Sequence, residues 1–101
     1  MQKNSRKYKF KSKVWLYSSP KSSWHFVSVP EDISAEIKFL NSCIRRGWGA
    51  IKCSSKIGKT LWKTSIFPDS KSKTYLLPIK KEVREKENIT IDKIVNIVLE
   101  I

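Results

Sequence analysis

The stretch Arg45–Pro78, RRGWGAIKCSSKIGKTLWKTSIFPDSKSKTYLLP, holds two of the four tryptophans, all three glycines and two of the four prolines. Its apolar residues recur at every second position, the period of a strand rather than a helix. Gly49, Ile51, Cys53 and Ile57 alternate with Trp48, Lys52 and Lys56; Trp62, Thr64 and Ile66 alternate with Leu61, Lys63, Ser65 and Phe67. Gly58 stands between the two runs, where freedom to take positive φ lets the chain reverse. Pro68-Asp69-Ser70 supplies turn chemistry ahead of a third run, Thr74–Leu77. Three successive antiparallel strands are expected, with one face largely apolar and the other mixed and basic. Gly58-Lys59-Thr60 invites comparison with the end of a phosphate-cradling loop. The earlier glycine of that motif would fall at Cys53, and a strand follows where the motif needs a helix, so it is rejected.

Upstream, Tyr8, Phe10, Ser12, Val14 and Leu16 alternate with Lys7, Lys9, Lys11 and Lys13, so a first strand carries a comb of four ammonium groups on one face. Like charges so spaced repel unless water, salt or an anionic partner screens them. The comb reads either as an edge guarded against aggregation or as a phosphate-contacting stripe. After the loop Ser18–Ser23, a strand Trp24–Val29 is apolar on both faces and calls for cover on both sides. Pro30 opens a helix, with Glu31 and Asp32 suited to its dipole and Ile33, Ile37, Leu40 and Ile44 as the stripe that docks on the sheet. Downstream of Pro78, Ile79 and Val83 mark a second short helix, residues 88–93 a turn, and Val95, Ile97, Leu99 and Ile101 a final strand with an aliphatic inner face. Strand, proline, helix thus occurs twice, which suits a small mainly β barrel with a helix closing each end, both halves in one chain. A monomer is slightly favoured on that ground.

A chain of 101 residues with 40% apolar and 11% aromatic content builds one modest core. Residues 1–6 are expected as a flexible start and 7–101 as the single barrel domain. No apolar run approaches bilayer length, and the basic amino terminus lacks the hydrophobic segment of a signal peptide, so no membrane role and a cytoplasmic location are expected. Cys43 and Cys53 give neither a disulfide framework nor a zinc site and are expected as reduced packing residues; no cofactor or metal is implied. His25, alone of its kind, is expected to pack or to lie at the surface. Eight of the nine acids fall on helices or in turns with no carboxylate pair evident, and Ser65 lacks a nucleophile elbow, so no enzyme is expected.

The net charge of +12, from 21 basic and nine acidic residues, favours encounters with polyanions, although scattered lysines also serve solubility alone. Two binding readings result. In one, Lys7, Lys9, Lys11, Lys13, Arg45, Arg46, Lys52 and Lys56 hold nucleic acid or another polyanion through phosphate contacts. In the other, Trp48, Trp62, Ser65, Tyr75 and Lys80 line a small-molecule or anion pocket at a barrel end, unless the tryptophans are simply core.

Several ordered motifs carry a resemblance over nearly the whole chain: Trp24-His25-Phe26-Val27 with Val29-Pro30, Arg46-Gly47-Trp48-Gly49, Ile57-Gly58, Trp62-Lys63-Thr64-Ser65 with Phe67-Pro68, and Tyr75-Leu76-Leu77-Pro78-Ile79-Lys80 with Val83-Arg84. Together they resemble the small bacterial domain of unknown function nineteen hundred and five. The resemblance implies a six-stranded double-split β-barrel with helical caps, and a stress or bacteriocin-protection role. The tail from Leu77 is also similar to swapped-hairpin transition-state regulators. Their Gly-Asp turn appears here as Asp92-Lys93, where Asp tolerates the left-handed conformation.

Overall fold

The computed structural model describes residues 6–42 and 49–101, with Asn41 and Ser42 as backbone only. Seven strands and two helices follow in order: β1 (Lys7–Lys13), β2 (Trp15–Ser18), β3 (Ser23–Ser28), α1 (Glu31–Ser42), β4 (Ile51–Ile57), β5 (Thr60–Asp69), β6 (Thr74–Pro78), α2 (Lys81–Lys86) and β7 (Ile94–Glu100). The ladder runs β1-β7-β4-β5-β6-β3-β2 with every pairing antiparallel. Its two edge strands are consecutive in the chain, with Val14 alone between them, so the sheet curls until its edges approach each other. The mainly β, barrel-like fold expected from the period-two runs is therefore present.

The strand count is seven rather than six because the expected first strand breaks. Val14 is fully buried, donates its N–H to Lys93 O at 2.9 Å and accepts from Asp92 N at 2.7 Å. Those two bonds to the turn before β7 end the β1–β7 ladder and release the chain toward β3. Ser12 Oγ then donates to Ser28 O at 2.9 Å across the seam. Arg6, counted with the start of the chain in the sequence reading, exchanges backbone hydrogen bonds of 3.1 and 3.0 Å with Ile101, which carries the β1–β7 pairing one residue further; residues 1–5 lie outside the described residues.

The hairpin expected at Gly58 is formed: Ile57 faces Thr60, and Gly58 takes φ +60 while Lys59 does not take positive φ. Positive φ at the first central residue alone is the pattern of a type II′ turn, which calls for glycine there. The next reversal falls later than its sequence signals. Pro68 and Asp69 remain in β5, opposite Tyr75 and Thr74, and the chain turns through residues 70–73 with Lys73 at φ 58. Asp69 still supplies the turn chemistry, but from the strand end, accepting from Ser72 Oγ at 2.8 Å.

Inside the curl, Val27, Val29, Ile51, Ile57, Trp62, Ile66, Leu77, Val95, Ile97 and Leu99 form the core together with Tyr75 and Cys53. Leu99, Ile66, Leu77 and Val27 are wholly excluded from solvent. Each such side chain contributes about 1.5–3 kcal/mol relative to exposure.

Helix α1 packs on β6 and α2 on β5. Of the expected α1 stripe, Ile37 is buried and Ile33 and Leu40 partly so; Ile44 lies outside the described residues. The residue that fastens α1 is polar. Ser34, 1% exposed, donates Oγ–H to Val29 O at 3.0 Å and accepts from Tyr75 N at 3.0 Å, joining the helix to both strand-proline-helix units. Those units are neighbours, with Phe26 opposite Pro78 and Val27 opposite Leu77.

One expectation fails at β3. The strand is apolar on both faces, yet only the Val27 face is covered; Trp24, on the other, stays 47% exposed. The expected turn before β7 is formed, with Asn88 at φ 51 and Asp92 at φ 72.

Candidate polyanion-binding face

Strand registers place the basic residues. Opposed residues of an antiparallel pair share a face, and Cys53, Ser55, Ile57, Trp62 and Ile66 point inward. The alternate set points outward, giving the cross-strand rows Lys9–Val98–Lys56–Leu61 and Lys7–Glu100–Ser54–Lys63, with Lys52 opposite Ser65. Lys11 stands opposite Asn96 and Lys13 opposite Ile94. One outer face of β1, β7, β4 and β5 therefore carries exposed Lys7, Lys9, Lys11, Lys13, Lys52, Lys56 and Lys63. Among the described residues of these rows, Glu100 is the one carboxylate. Four strands thus gather what the sequence scatters over 57 positions, from Lys7 to Lys63.

Six of the eight residues expected at a polyanion site share this face; Arg45 and Arg46 lie outside the described residues. Lys63 belongs there and was missing from the expected set. Its signal was available: it alternates with Trp62 in the same hairpin as Lys52 and Lys56. The comb lies on an edge strand, as an edge guard would. Guarding an edge gives no reason for Lys52, Lys56 and Lys63, which stand on β4 and β5 within the ladder.

At the margin of this face lies an open groove of about 740 Å³ lined by Lys52, Lys63, Lys80, Ser54, Ser65 and Phe67. Ser65 and Lys80, expected at a pocket, meet here. Trp62 and Tyr75, expected with them, are 7% and 1% exposed and belong to the core instead. Trp62 faces Ser55 on the inner side of the β4–β5 ladder, the parity opposite to Ser65. Trp48 lies outside the described residues.

The remaining reactive groups are held by structure. Burial pushes the Cys53 thiol up to about 11, so it stays protonated; Cys43 lies outside the described residues. His25 is partly buried, and desolvation, aided by the Arg84 charge, lowers its pKa. The Glu87 carboxylate seats on the Gly58 turn, accepting from Thr60 Oγ1 at 2.6 Å and Lys59 N at 3.3 Å. The Thr60 hydroxyl chiefly, with Lys59 and Lys93 nearby, holds it below the ordinary carboxylate range. Among the described residues no cluster of His, Cys, Asp or Glu is arranged to hold a metal, and no helix is long and apolar enough to cross a membrane.

Comparison with curated proteins returns no match. The sequence profile of one family, described as a domain of unknown function (DUF1905), matches residues 10–99, from β1 through β7, and the chain belongs to that family.

Proposed function

We propose that this domain is a non-catalytic binding module that takes nucleic acid or another polyanion on the outer face of β1, β7, β4 and β5. The observation that supports it is the gathering of seven exposed lysines around one carboxylate on a single sheet face. Opposite Lys9, Lys11 and Lys13 stand Val98, Asn96 and Ile94, so of the comb only Lys7, opposite Glu100, faces a cross-strand carboxylate. Phosphates meet that requirement, and each one neutralised releases a condensed counterion. The lysine ammonium is a compact point charge on a flexible stem, which suits backbone contact without base readout.

Binding of a fluorescein-labelled 20-base-pair duplex, followed by anisotropy from low to physiological salt, tests the proposal. Log affinity falls linearly with log salt, with a slope of about −4.5 to −6.3 if five to seven lysines each engage a phosphate. Replacing Lys9, Lys11, Lys52 and Lys56 by Glu weakens low-salt binding at least tenfold. The same charge change at Lys21, Lys71, Lys73 and Lys81, away from the face, has a much smaller effect. Absence of binding at low salt, or equal loss in both quadruple variants, contradicts a dedicated face.

A second reading has its own observation. Lys52, Lys63 and Lys80 line the groove with two serine hydroxyls and a single carboxylate, Glu100, an excess of cations suited to a small multivalent anion. Inositol hexakisphosphate that competes with duplex at one-to-one stoichiometry, and no longer does so in Lys80→Glu, supports this smaller site.

A further inference from the structure

The solvent face of the first 11 strand residues changes character at Val14. The outward positions Lys7, Lys9, Lys11 and Lys13 are followed, at the same alternation, by Trp15 and Tyr17 on β2. In register, Trp15 faces Phe26 and Tyr17 faces Trp24 on β3, so four aromatic rings occupy one outer patch directly after the lysine row. Trp15 and Phe26 are the half-buried footing, with ring centroids 5.3 Å apart, and Trp15 Nε1 donates to Ser28 Oγ at 3.1 Å. Trp24 lies parallel to Phe26, with 5.9 Å between centroids and an interplanar angle of 3°, and its Nε1 donates to Ser22 Oγ at 3.2 Å. These contacts fix the indole plane, yet Trp24 remains 47% and Tyr17 50% exposed.

We propose that Tyr17 and Trp24, held by Trp15 and Phe26, form a stacking platform for unpaired bases of a single strand whose phosphates lie on the Lys7–Lys13 row. The inference rests on the polyanion reading above and narrows it to single-stranded nucleic acid. Cross-strand aromatic pairs stabilise a hairpin whether or not a ligand binds, and that role accounts for the half-buried rings. It does not account for two solvent-facing rings continuous with a lysine row in which only Lys7 faces a carboxylate. A nucleotide of a single strand supplies both complements, since its base presents a flat π-face for an aromatic ring and its backbone phosphate meets a lysine. A duplex keeps its bases stacked inside and offers the platform nothing but its ends.

The experiment compares four labelled or competing probes on the whole chain: a thymidine 12-mer, the same strand with abasic sites, a 12-base-pair duplex, and a heparin fragment. The thymidine strand binds tighter than the duplex and the abasic strand, and quenches tryptophan fluorescence. Tyr17→Leu and Trp24→Leu, which keep apolar bulk on the hairpin, each weaken the thymidine strand about tenfold and leave heparin binding within twofold. An unchanged circular dichroism spectrum and melting temperature show that the variants are folded. Equal affinity for the thymidine and abasic strands, or parallel loss of thymidine strand and heparin in the leucine variants, overturns the platform while leaving the polyanion face in place. If no probe binds the parent protein at low salt, the polyanion reading fails, and the platform with it.

Discussion

Two buried serines of equal size make opposite predictions. Ser34 and Ser55 are 1% and 0% exposed. Ser34 Oγ makes two hydrogen bonds of 3.0 Å, to Val29 O and from Tyr75 N, whereas Ser55 Oγ sits beside the Cys53 thiol without a hydrogen bond of ordinary geometry. Replacing either by Ala removes one oxygen and leaves a similar volume. In Ser34→Ala a backbone carbonyl and an amide lose that partner at the junction of α1, β3 and β6, at about 1–3 kcal/mol for each group left buried and unsatisfied. A loss of about 2–6 kcal/mol is expected, a large part of the stability of a small domain. In Ser55→Ala a poorly satisfied hydroxyl is removed and a methyl group remains, and the change is within about 0.5 kcal/mol of zero or stabilising. Thermal unfolding followed by circular dichroism separates the two: at about 4–8 °C per kcal/mol for a domain of this size, Ser34→Ala melts at least about 8 °C lower. Urea unfolding checks that the slope is unchanged, so that stability rather than denatured-state compactness has moved. Hydrogen exchange at the Tyr75 amide supplies a local readout and accelerates in Ser34→Ala. Equal melting temperatures for the two variants would refute the claim that a buried hydroxyl, rather than the apolar stripe, fastens α1 to the sheet.

The Glu87 carboxylate titrates below its unfolded value, so its contribution is present above the unfolded pKa and is lost as pH falls through the folded one. Glu87→Gln therefore shows a smaller decline in melting temperature between about pH 5 and pH 3 than the parent; identical declines contradict the seat on the Gly58 turn. His25 has its folded pKa below the unfolded value, so protonation favours unfolding and stability rises with pH until the unfolded imidazole has titrated, near pH 6.5. His25→Asn flattens that rise, measured by denaturant midpoints from pH 5 to 8. Cys53, in a Cys43→Ser background, reacts with a thiol reagent at pH 8 only as fast as the chain opens, because the thiol is buried and its pKa is pushed up to about 11. Rapid labelling of the native state contradicts that burial.

Periodicity carried most of the fold. The β4–β5 hairpin, the aliphatic inner face of β7 and the start of α1 after Pro30 all lie where alternation, a glycine or a proline puts them. What periodicity could not carry was any feature set by a distant partner. Val14 continues the alternation of β1 without a blemish, and it is the Asp92–Lys93 turn, about 80 residues away, that ends the ladder there. Asp69 looks like a turn residue and caps the turn, but pairing with Thr74 keeps it in the strand. For the candidate site, β1 was legible because its lysines are near in sequence. The join between β1 and β4 through β7 was not, since strand order is a property of the folded sheet. Trp62 and Tyr75 look like pocket walls by residue type, and strand parity buries them. The proposed Tyr17–Trp24 platform follows from the same parity carried past the lysines into β2 and across to β3.

The most direct test of the central claim is a backbone and indole amide NMR titration with the thymidine 12-mer at low salt. The account predicts shifts concentrated at β1, at residues 52–56, at Val98, and at the indole signals of Trp15 and Trp24, with α1 and α2 quiet and all changes reversed by added salt. Shifts centred on the helices, or spread evenly over the surface without the outer rows of β1 and β4, contradict it.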